Sequence, residues 1–335
     1  MSKKITIHDI AKALNTTAAT VSRALNDHPR ISDETKKRVR ESAVEMGYEP
    51  NHLAAAFRKG KSNTLGVIVP LTDRSFFSSV IRGLEEVTNQ KGYNVLICQS
   101  HDRYKDEIRN IDALLQAKVS GIVISISKES AGKTDHLHKI LNNNIPLIMF
   151  DRISETLDCN SVIIDDHLGG YLATEHLIKK GFKKICCFYS DPTLNIYRER
   201  FRGYQDAMSD YGLSWDESMT RKIWSSVEEG KKGMASLLED VKPPFGLFCT
   251  SDYTAIGALQ YLRNNKVKVP EQVSLVGFSN EPVTQYLEPP LSTVDQKAKS
   301  MGEVIAKTFL EQMENDESIF ATKKVLKPEL LVRGT

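Results

Sequence analysis

The sequence predicts a small all-α head, a short helical linker and an α/β core of two lobes with parallel sheets. Three observations carry this. Residues 1–50 show apolar residues at helical spacing, punctuated by capping residues. Residues 51–62 hold one stretch of about two helical turns, too short to persist alone in water. From Leu65 onward, near-continuous apolar runs alternate with amphipathic stretches.

In the head, "TIHDIAKAL" places Ile7, Ile10, Ala11 and Leu14 on one face, with Thr6 as N-cap and Asp9 three residues on. A break, "NTTA", leads to "TVSRALN", whose Val21, Ala24 and Leu25 repeat at i, i+3 and i+4. The other face of this second helix is small or polar. A third helix, "SDETKKRVRESAVEMG", opens on a capping Ser32 and stops at Gly47. Two short helices across a tight turn, with a basic residue late in the second, fit a helix-turn-helix. Thr17, Ala18 and Ala19 would then allow close approach to base edges, and Arg23 and Asn26 would reach bases or phosphates. A small helical bundle with a solvated face fits the same pattern equally well.

The linker stretch is "YEPNHLAAAFRKGKSNT": Pro50 ends what precedes, Asn51 caps a new helix and Gly60 closes it. In the core, the runs are "LGVIVP", "YNVLICQ", "GIVISI", "PLIMFD", "SVIIDD", "KICCFY", "GLFCTSD" and "VSLVGFSN". These read as strands of parallel sheets covered on both faces. The series restarts near Ser161, which gives two lobes. Several strands run into polar residues: Ser100, Ser125, Asp151, Asp165, Asp252 and Ser279. Ligands of open α/β sheets bind beyond the carboxyl ends of the strands, so facing ends from two lobes predict a cleft.

Composition limits the function classes. The 335 residues are 40% hydrophobic and 26% charged, as in globular chains of two or three domains. Net charge is +2, yet residues 1–60 carry 11 Lys+Arg against 7 Asp+Glu, a basic end on a near-neutral body. The N-terminus turns polar before an apolar segment of useful length, and no run is long enough for a bilayer, so a cytoplasmic protein without membrane contact is expected. Cys98, Cys159, Cys186, Cys187 and Cys249 show no CxxC spacing and are expected as buried free thiols.

Enzyme signals are weak. In "SKESAGKTD", Gly132-Lys133-Thr134 mimics the end of a phosphate loop, but the glycine required five positions earlier is Ser127. HExxH and GxSxG do not occur, and His136 and His138 are expected to be exposed rather than metal ligands. The sequence therefore predicts no catalysis, no cofactor and no metal. A transport-type solute-binding protein would explain the core but leave the first 60 residues without a role.

The stretch from Ile5 to Pro70 closely resembles the N-terminus of the lactose-repressor/galactose-repressor (LacI-type) transcription regulators. The match lies in "TVSRALN", the third helix, the "GYEPN" turn and the linker into the first strand. "FRGYQDAM", "TSDYTAIGAL", "VPEQVSLVGF", "PPLSTVDQ" and "PELLVRGT" resemble that family's later signatures, in the same order. The resemblance implies a helix-turn-helix head (1–50), a hinge helix (51–62) and a periplasmic-binding-protein-like (type I) core (63–335). Lobe 1 is expected over about 63–161 and 293–322, and lobe 2 over about 162–292 and 323–335. It further implies a homodimer on a pseudo-palindromic double-stranded DNA operator, most simply as a repressor, with a small-molecule effector of carbohydrate type.

Carried over by motif, the resemblance assigns DNA contacts in the head to Thr6, Thr17, Ala18, Ala19, Thr20, Ser22, Arg23 and Asn26. In the hinge it assigns them to Asn51, Ala54 and Phe57. Phe57 stands where the family usually has a leucine wedged between base steps, a role that a phenyl ring also suits. For the effector it points to Phe76, Phe77, Ser125, Asp151, Arg200, Asp252 and Gln296. Ser251 and Ser279 occupy positions where the family commonly has asparagine and aspartate, so no particular sugar carries over. Trp224 lies near a further ring-stacking position. Carboxylates accept from hydroxyls, an arginine offers a fork of donors and aromatics cover an apolar face.

Overall fold

The computed structural model describes residues 5–48, 62–314 and 321–335, which fall into two compact units divided between Ser62 and Asn63. The expected hinge helix, with Asn51, Ala54 and Phe57, lies outside the described residues.

Among the described residues the head holds three helices: α1 (Ile7–Ala13), α2 (Ala18–Leu25) and α3 (Asp33–Glu45). Each begins as its sequence dictates. The Asp9 carboxylate accepts from both the Thr6 backbone N–H (2.8 Å) and the Thr6 hydroxyl (2.6 Å). Thr17 and Ser32 cap the next two helices by accepting from the Thr20 and Thr35 N–H groups. Gly47 takes φ +66°, as a residue just past a helix end often does. Ile10, Ala11, Val21, Ala24, Val39 and Ala43 form the buried core.

The core unit contains two six-stranded sheets. The first runs β11 (Lys323–Leu326), β5 (Asn160–Ile164), β4 (Leu147–Phe150), β3 (Gly121–Ile124), β1 (Thr64–Val69), β2 (Asn94–Gln99), all parallel. The second runs β12 (Glu329–Leu331), β10 (Ser292–Asp295), β9 (Val273–Phe278), β8 (Phe245–Cys249), β6 (Ile185–Tyr189), β7 (Thr220–Lys222). It is parallel except for the β10–β12 pair.

Helices explain the continuous apolar runs. Leu65, Val67 and Val69 of β1 face α4 (Ser75–Asn89) and α11 (Ala298–Glu314). Ile68, on the other face, meets α5 (Tyr104–Gln116) and α6 (Asp135–Asn142). A strand covered on both sides has no polar alternation to show. β2 departs from the expectation of two covered faces: it is an edge strand, and Leu96 and Ile97 are 43% and 48% exposed.

The second lobe adds α7 (Asp166–Lys179), α8 (Asn195–Asp210), α9 (Val227–Asp240) and α10 (Asp252–Asn264). Three helix pairs, α4/α11, α7/α8 and α9/α10, cross at paired glycines: Gly83 with Gly302, Gly170 with Gly203, and Gly230 with Gly257. At each of these six positions a Cβ would collide with backbone of the partner helix.

The lobe limits differ from those expected. β5 belongs to the first sheet, so lobe 1 extends to Ile164 rather than 161; β10 belongs to the second, and β11 to the first. The chain thus crosses between lobes after Ile164, after Asp295 and between Leu326 and Glu329. β5 follows β4 through a loop rather than a helix, and so looked like the start of a new series.

Candidate functional site

The strands of both sheets end at one cleft, a cavity of about 250 Å³ walled by both lobes. Loops after β1, β2, β3 and β4 bring Arg74, Asp102, Lys128, Asp151 and Arg152. Loops after β6, β7, β8 and β9 bring Ser190, Trp224, Ser251, Ser279 and Glu281, and α8 contributes Tyr197 and Arg200.

Arg200 is the most constrained of these side chains. Its Nε donates to Asp166 (2.7 Å), Nη1 to the Thr250 carbonyl (2.9 Å) and Nη2 to Gln296 Oε1 (3.0 Å). The guanidinium carbon lies 3.8 Å from the Phe278 ring centroid. Gln296 Nε2 in turn donates to the Ser279 hydroxyl (2.9 Å). Asp166 sits at the first crossover and Gln296 at the second, so one network ties both lobe connections to the cleft floor. Burial pushes the Asp166 carboxyl up to about 7, against the pull of Arg200.

Asp151 follows β4 with φ +57°, and Ser279 and Asn280 follow β9 with φ +125° and +54°. Non-glycine residues in such conformations persist where surrounding contacts hold them, and they cluster at binding sites. Here those contacts are visible. Asp151 accepts the Ser125 hydroxyl at 3.3 Å, and its backbone carbonyl accepts from Asn195 Nδ2 at 2.9 Å. Burial raises the Asp151 carboxyl, while Arg152 and Arg200 oppose the rise.

Contacts between the lobes frame the cleft. At the mouth, Arg74 donates to the Ser225 carbonyl (3.1 Å) and stacks 3.7 Å from the Tyr253 ring centroid. Ser75 donates to Glu281 (2.5 Å). At the back, Asn195 of lobe 2 bridges the Asp151 carbonyl and the Ile153 N–H (3.0 Å) of lobe 1.

Of the residues assigned to an effector, Phe76, Phe77, Asp151, Arg200, Ser251, Ser279 and Gln296 line the cleft. Phe76 and Phe77 are also members of the lobe 1 core, edge to face at 5.2 Å. Ser251 caps α10 and shares a 2.6 Å hydrogen bond with Ser225. Two residues do not line it. Ser125 stands behind Asp151 as its hydrogen-bond donor. Asp252 is wholly buried, accepting from the Thr293 hydroxyl (2.6 Å) and the Glu281 N–H (2.8 Å), with its carboxyl raised by burial to about 7. As the first residue of α10 it holds the β9–β10 end in place, and sequence gives no sign of which way it points.

Sequence reasoning missed Arg74, Asp102, Lys128, Arg152, Ser190, Tyr253 and Glu281. Arg152, Asp102 and Ser190 carried a usable signal, since each stands within three residues of a strand end. His136 corrects another expectation. It is buried, with Nε2 2.6 Å from Glu107 and Tyr104 edge-on at 4.9 Å, because α6 turns that face onto α5. Gly132-Lys133-Thr134 follows a short 3₁₀ turn, with Lys133 over the Tyr104 ring rather than in a phosphate cradle. Cys186, Cys187 and Cys249 are buried thiols, whereas Cys98 and Cys159 are half-buried.

On the head, Thr6, Thr17, Ala19, Arg23 and Asn26 are exposed, and Thr20 and Ser22 half-exposed. Ala18 instead packs partly against the head core. The Thr17 hydroxyl is engaged in its cap, and Asn26 Nδ2 donates to the Ser22 carbonyl (2.7 Å). No described helix is long and apolar enough to cross a membrane, and no metal-ligand cluster occurs among the described residues.

Comparisons with known proteins agree with this layout. Residues 6–51 match the family of bacterial regulatory proteins, lacI family, and residues 174–335 match the periplasmic binding protein-like domain. The chain is 34% identical over 330 residues to the HTH-type transcriptional regulator DegA of Bacillus subtilis, covering 98% of this chain and 97% of that one. It is 30% identical to the HTH-type transcriptional repressor CytR of Escherichia coli, covering 98% and 96%. A solved LacI family regulator from Enterococcus faecium with bound ribose superposes with a TM-score of 0.72 at 26% identity, covering 81% of this chain and 97% of that one.

Proposed function

The chain belongs to the LacI family of bacterial regulatory proteins, and from that premise we propose a ligand-controlled repressor that acts as a homodimer. Its head reads half of a pseudo-palindromic DNA site through the exposed face of α2, centred on Ala19, Ser22 and Arg23. Its core binds a small hydroxylated metabolite between the lobes, without catalysis. The exposed apolar edge at Leu96 and Ile97 supports pairing with a second copy.

The observation that carries this reading is the Asp166–Arg200–Gln296–Ser279 network. It joins two crossovers to the cleft floor, so a ligand that contacts it acts on the joints that set the lobe orientation. A ligand shifts DNA affinity only by binding one lobe arrangement better than the other. Asp151 and Glu281 offer acceptors to hydroxyl groups, and Phe76 covers an apolar face. A cavity of about 250 Å³ suits a single sugar ring rather than a long oligosaccharide.

The test is a gel shift of purified protein on fragments upstream of its own operon, repeated with candidate metabolites. One fragment should be retained selectively, and one metabolite should change that retention. Equal retention of every fragment would remove the proposal.

A further inference from the structure

We infer that Glu107 and His136, buried in lobe 1 and absent from the cleft lining, are positioning residues: together they fix the loop after β3 so that Lys128 meets Trp224 of lobe 2 across the cleft. This rests on the proposed function in taking the cleft as the effector site, but its test reads the cleft wall directly.

The loop from Ser125 to Thr134 joins β3 to α6 and carries Lys128 into the cleft wall. Its start is held on one oxygen. Glu107 Oε2, from the first turn of α5, accepts the Ser127 backbone N–H and the Ser127 hydroxyl, both at 2.6 Å. The other oxygen, Oε1, lies 2.6 Å from His136 Nε2 on α6, beyond the far end of the loop. One carboxyl thereby ties the loop to α5 and to α6. Glu107 and Ser127 are wholly buried, and Ser127 Oγ also lies 2.8 Å from Ser100 Oγ, just after β2.

Ser127 is the residue before Lys128. With its N–H and hydroxyl on the same oxygen, its backbone has one orientation, and the next N–H, that of Lys128, donates to Asp102 Oδ1 at 3.0 Å. Two successive backbone N–H groups are therefore held by carboxyl oxygens, which fixes where the Lys128 side chain starts. Its ammonium stands over the Trp224 ring, 4.8 Å from the centroid. Lys128 belongs to lobe 1 and Trp224, half-exposed, to lobe 2, so this cation–aromatic contact favours the approach of the lobes.

Packing alone does not require these groups. A buried polar pair can be replaced by apolar side chains of the same shape at little cost. In this lobe α5 and α6 already share an apolar core through Ile111, Leu114, Leu137 and Ile140. What an apolar pair cannot do is hold the Ser127 N–H and hydroxyl. Glu107 supplies that hold, and His136 sets the orientation of its carboxyl.

The experiment is fluorine NMR of the full chain labelled with fluorotryptophan, which carries one probe at each of its 2 tryptophans. Trp215→Phe identifies the Trp224 resonance by removing the other. Lys128→Met, at an exposed position, should shift the Trp224 resonance. Glu107→Met should shift it in the same direction. The double variant should shift it no further than Lys128→Met does, because residues that act through one another are not additive. Glu107→Gln should leave the resonance in place: its amide oxygen still accepts from Ser127, and its NH₂ meets His136 once that ring carries its proton on Nδ1. Where Glu107→Met fails to fold, His136→Phe, which keeps a ring against Tyr104 but loses the bond to Oε1, should give the same shift.

A Trp224 resonance unmoved by Lys128→Met, or unmoved by both Glu107→Met and His136→Phe, would overturn the positioning role. So would a double variant that moves it well beyond Lys128→Met alone, or a Glu107→Gln protein that behaves like Glu107→Met. Any of these results leaves the proposed function standing, since none reads DNA or effector. Conversely, DNA retention that no metabolite alters would remove the proposed function while the placement of Lys128 stood.

Discussion

Ser75, at the start of α4 in lobe 1, donates its hydroxyl to the Glu281 carboxylate of lobe 2 at 2.5 Å, across the mouth of the cleft. Arg74 stacks on Tyr253 beside it, and Tyr253 itself reaches Glu281 at 3.4 Å. This clasp stabilises the approach of the lobes without touching the cavity floor. Ser75→Ala should therefore weaken ligand binding, because a closed arrangement populated less often lowers apparent affinity. A hydrogen bond to a charged group contributes about 1.5–3 kcal/mol, so a loss of roughly tenfold or more is expected by calorimetry. Unchanged affinity would show that the clasp does not set the lobe equilibrium.

Arg200 and Asp166 are each 3% exposed and bonded to one another. Removing one partner of a buried pair costs about 3–5 kcal/mol, whereas neutralising both is far milder. Arg200→Met alone should be strongly destabilised in urea denaturation. Arg200→Met with Asp166→Asn should recover much of that stability but not the response of DNA binding to ligand.

The burial of Asp166 and Asp252 gives stability a pH dependence. Both carboxyls are raised to about 7, above the ordinary value of 3.8. Between these values the folded protein holds protons that the unfolded chain has released, so stability falls as pH rises through that range. Melting temperature should drop from pH 5 to pH 8, and Asp252→Asn should drop less over the same interval. An equal drop in the variant would mean that Asp252 is ionised in the fold at pH 5.

The paired glycines set the spacing of three helix pairs. A Cβ at Gly203 would meet the His167 carbonyl and the Tyr171 N–H. Gly203→Ala should destabilise by about 1–3 kcal/mol, the usual cost of overpacking, as measured by denaturant midpoint. Gly212→Ala, where no atom lies within 4 Å of the added methyl, isolates the separate cost of a positive φ of +64°.

Much of this was legible because the chain signals locally. Thr6 with Asp9, the repeat of Val21, Ala24 and Leu25, and the capping Ser32 announced the head helices. The apolar runs from "LGVIVP" to "VSLVGFSN" announced eight strands, since buried parallel strands need no polar face. β7, β10, β11 and β12 were missed: "TRK", "STVD", "KKVL" and "ELL" are short, and β11 is largely exposed. Their identity comes from pairing with strands far away in sequence. Asp151 was found because strand ends mark an α/β cleft, whereas Arg200 and Gln296 came only from the motifs shared with the LacI-type regulators. Asp252 misled because a residue beside a strand end can point into the fold as readily as into the cleft. Arg74 and Glu281 were invisible because each gains its role only from the opposite lobe.

The most direct measurement is fluorescence anisotropy of a labelled upstream fragment titrated with the intact protein, with and without a metabolite that calorimetry shows to bind. Binding should be selective, steeply salt dependent and changed about fivefold or more at saturating ligand. Arg23→Ala should weaken binding by about 1–3 kcal/mol without altering the fold. Affinity that is equal for all fragments, indifferent to ligand and unchanged by Arg23→Ala would contradict the account.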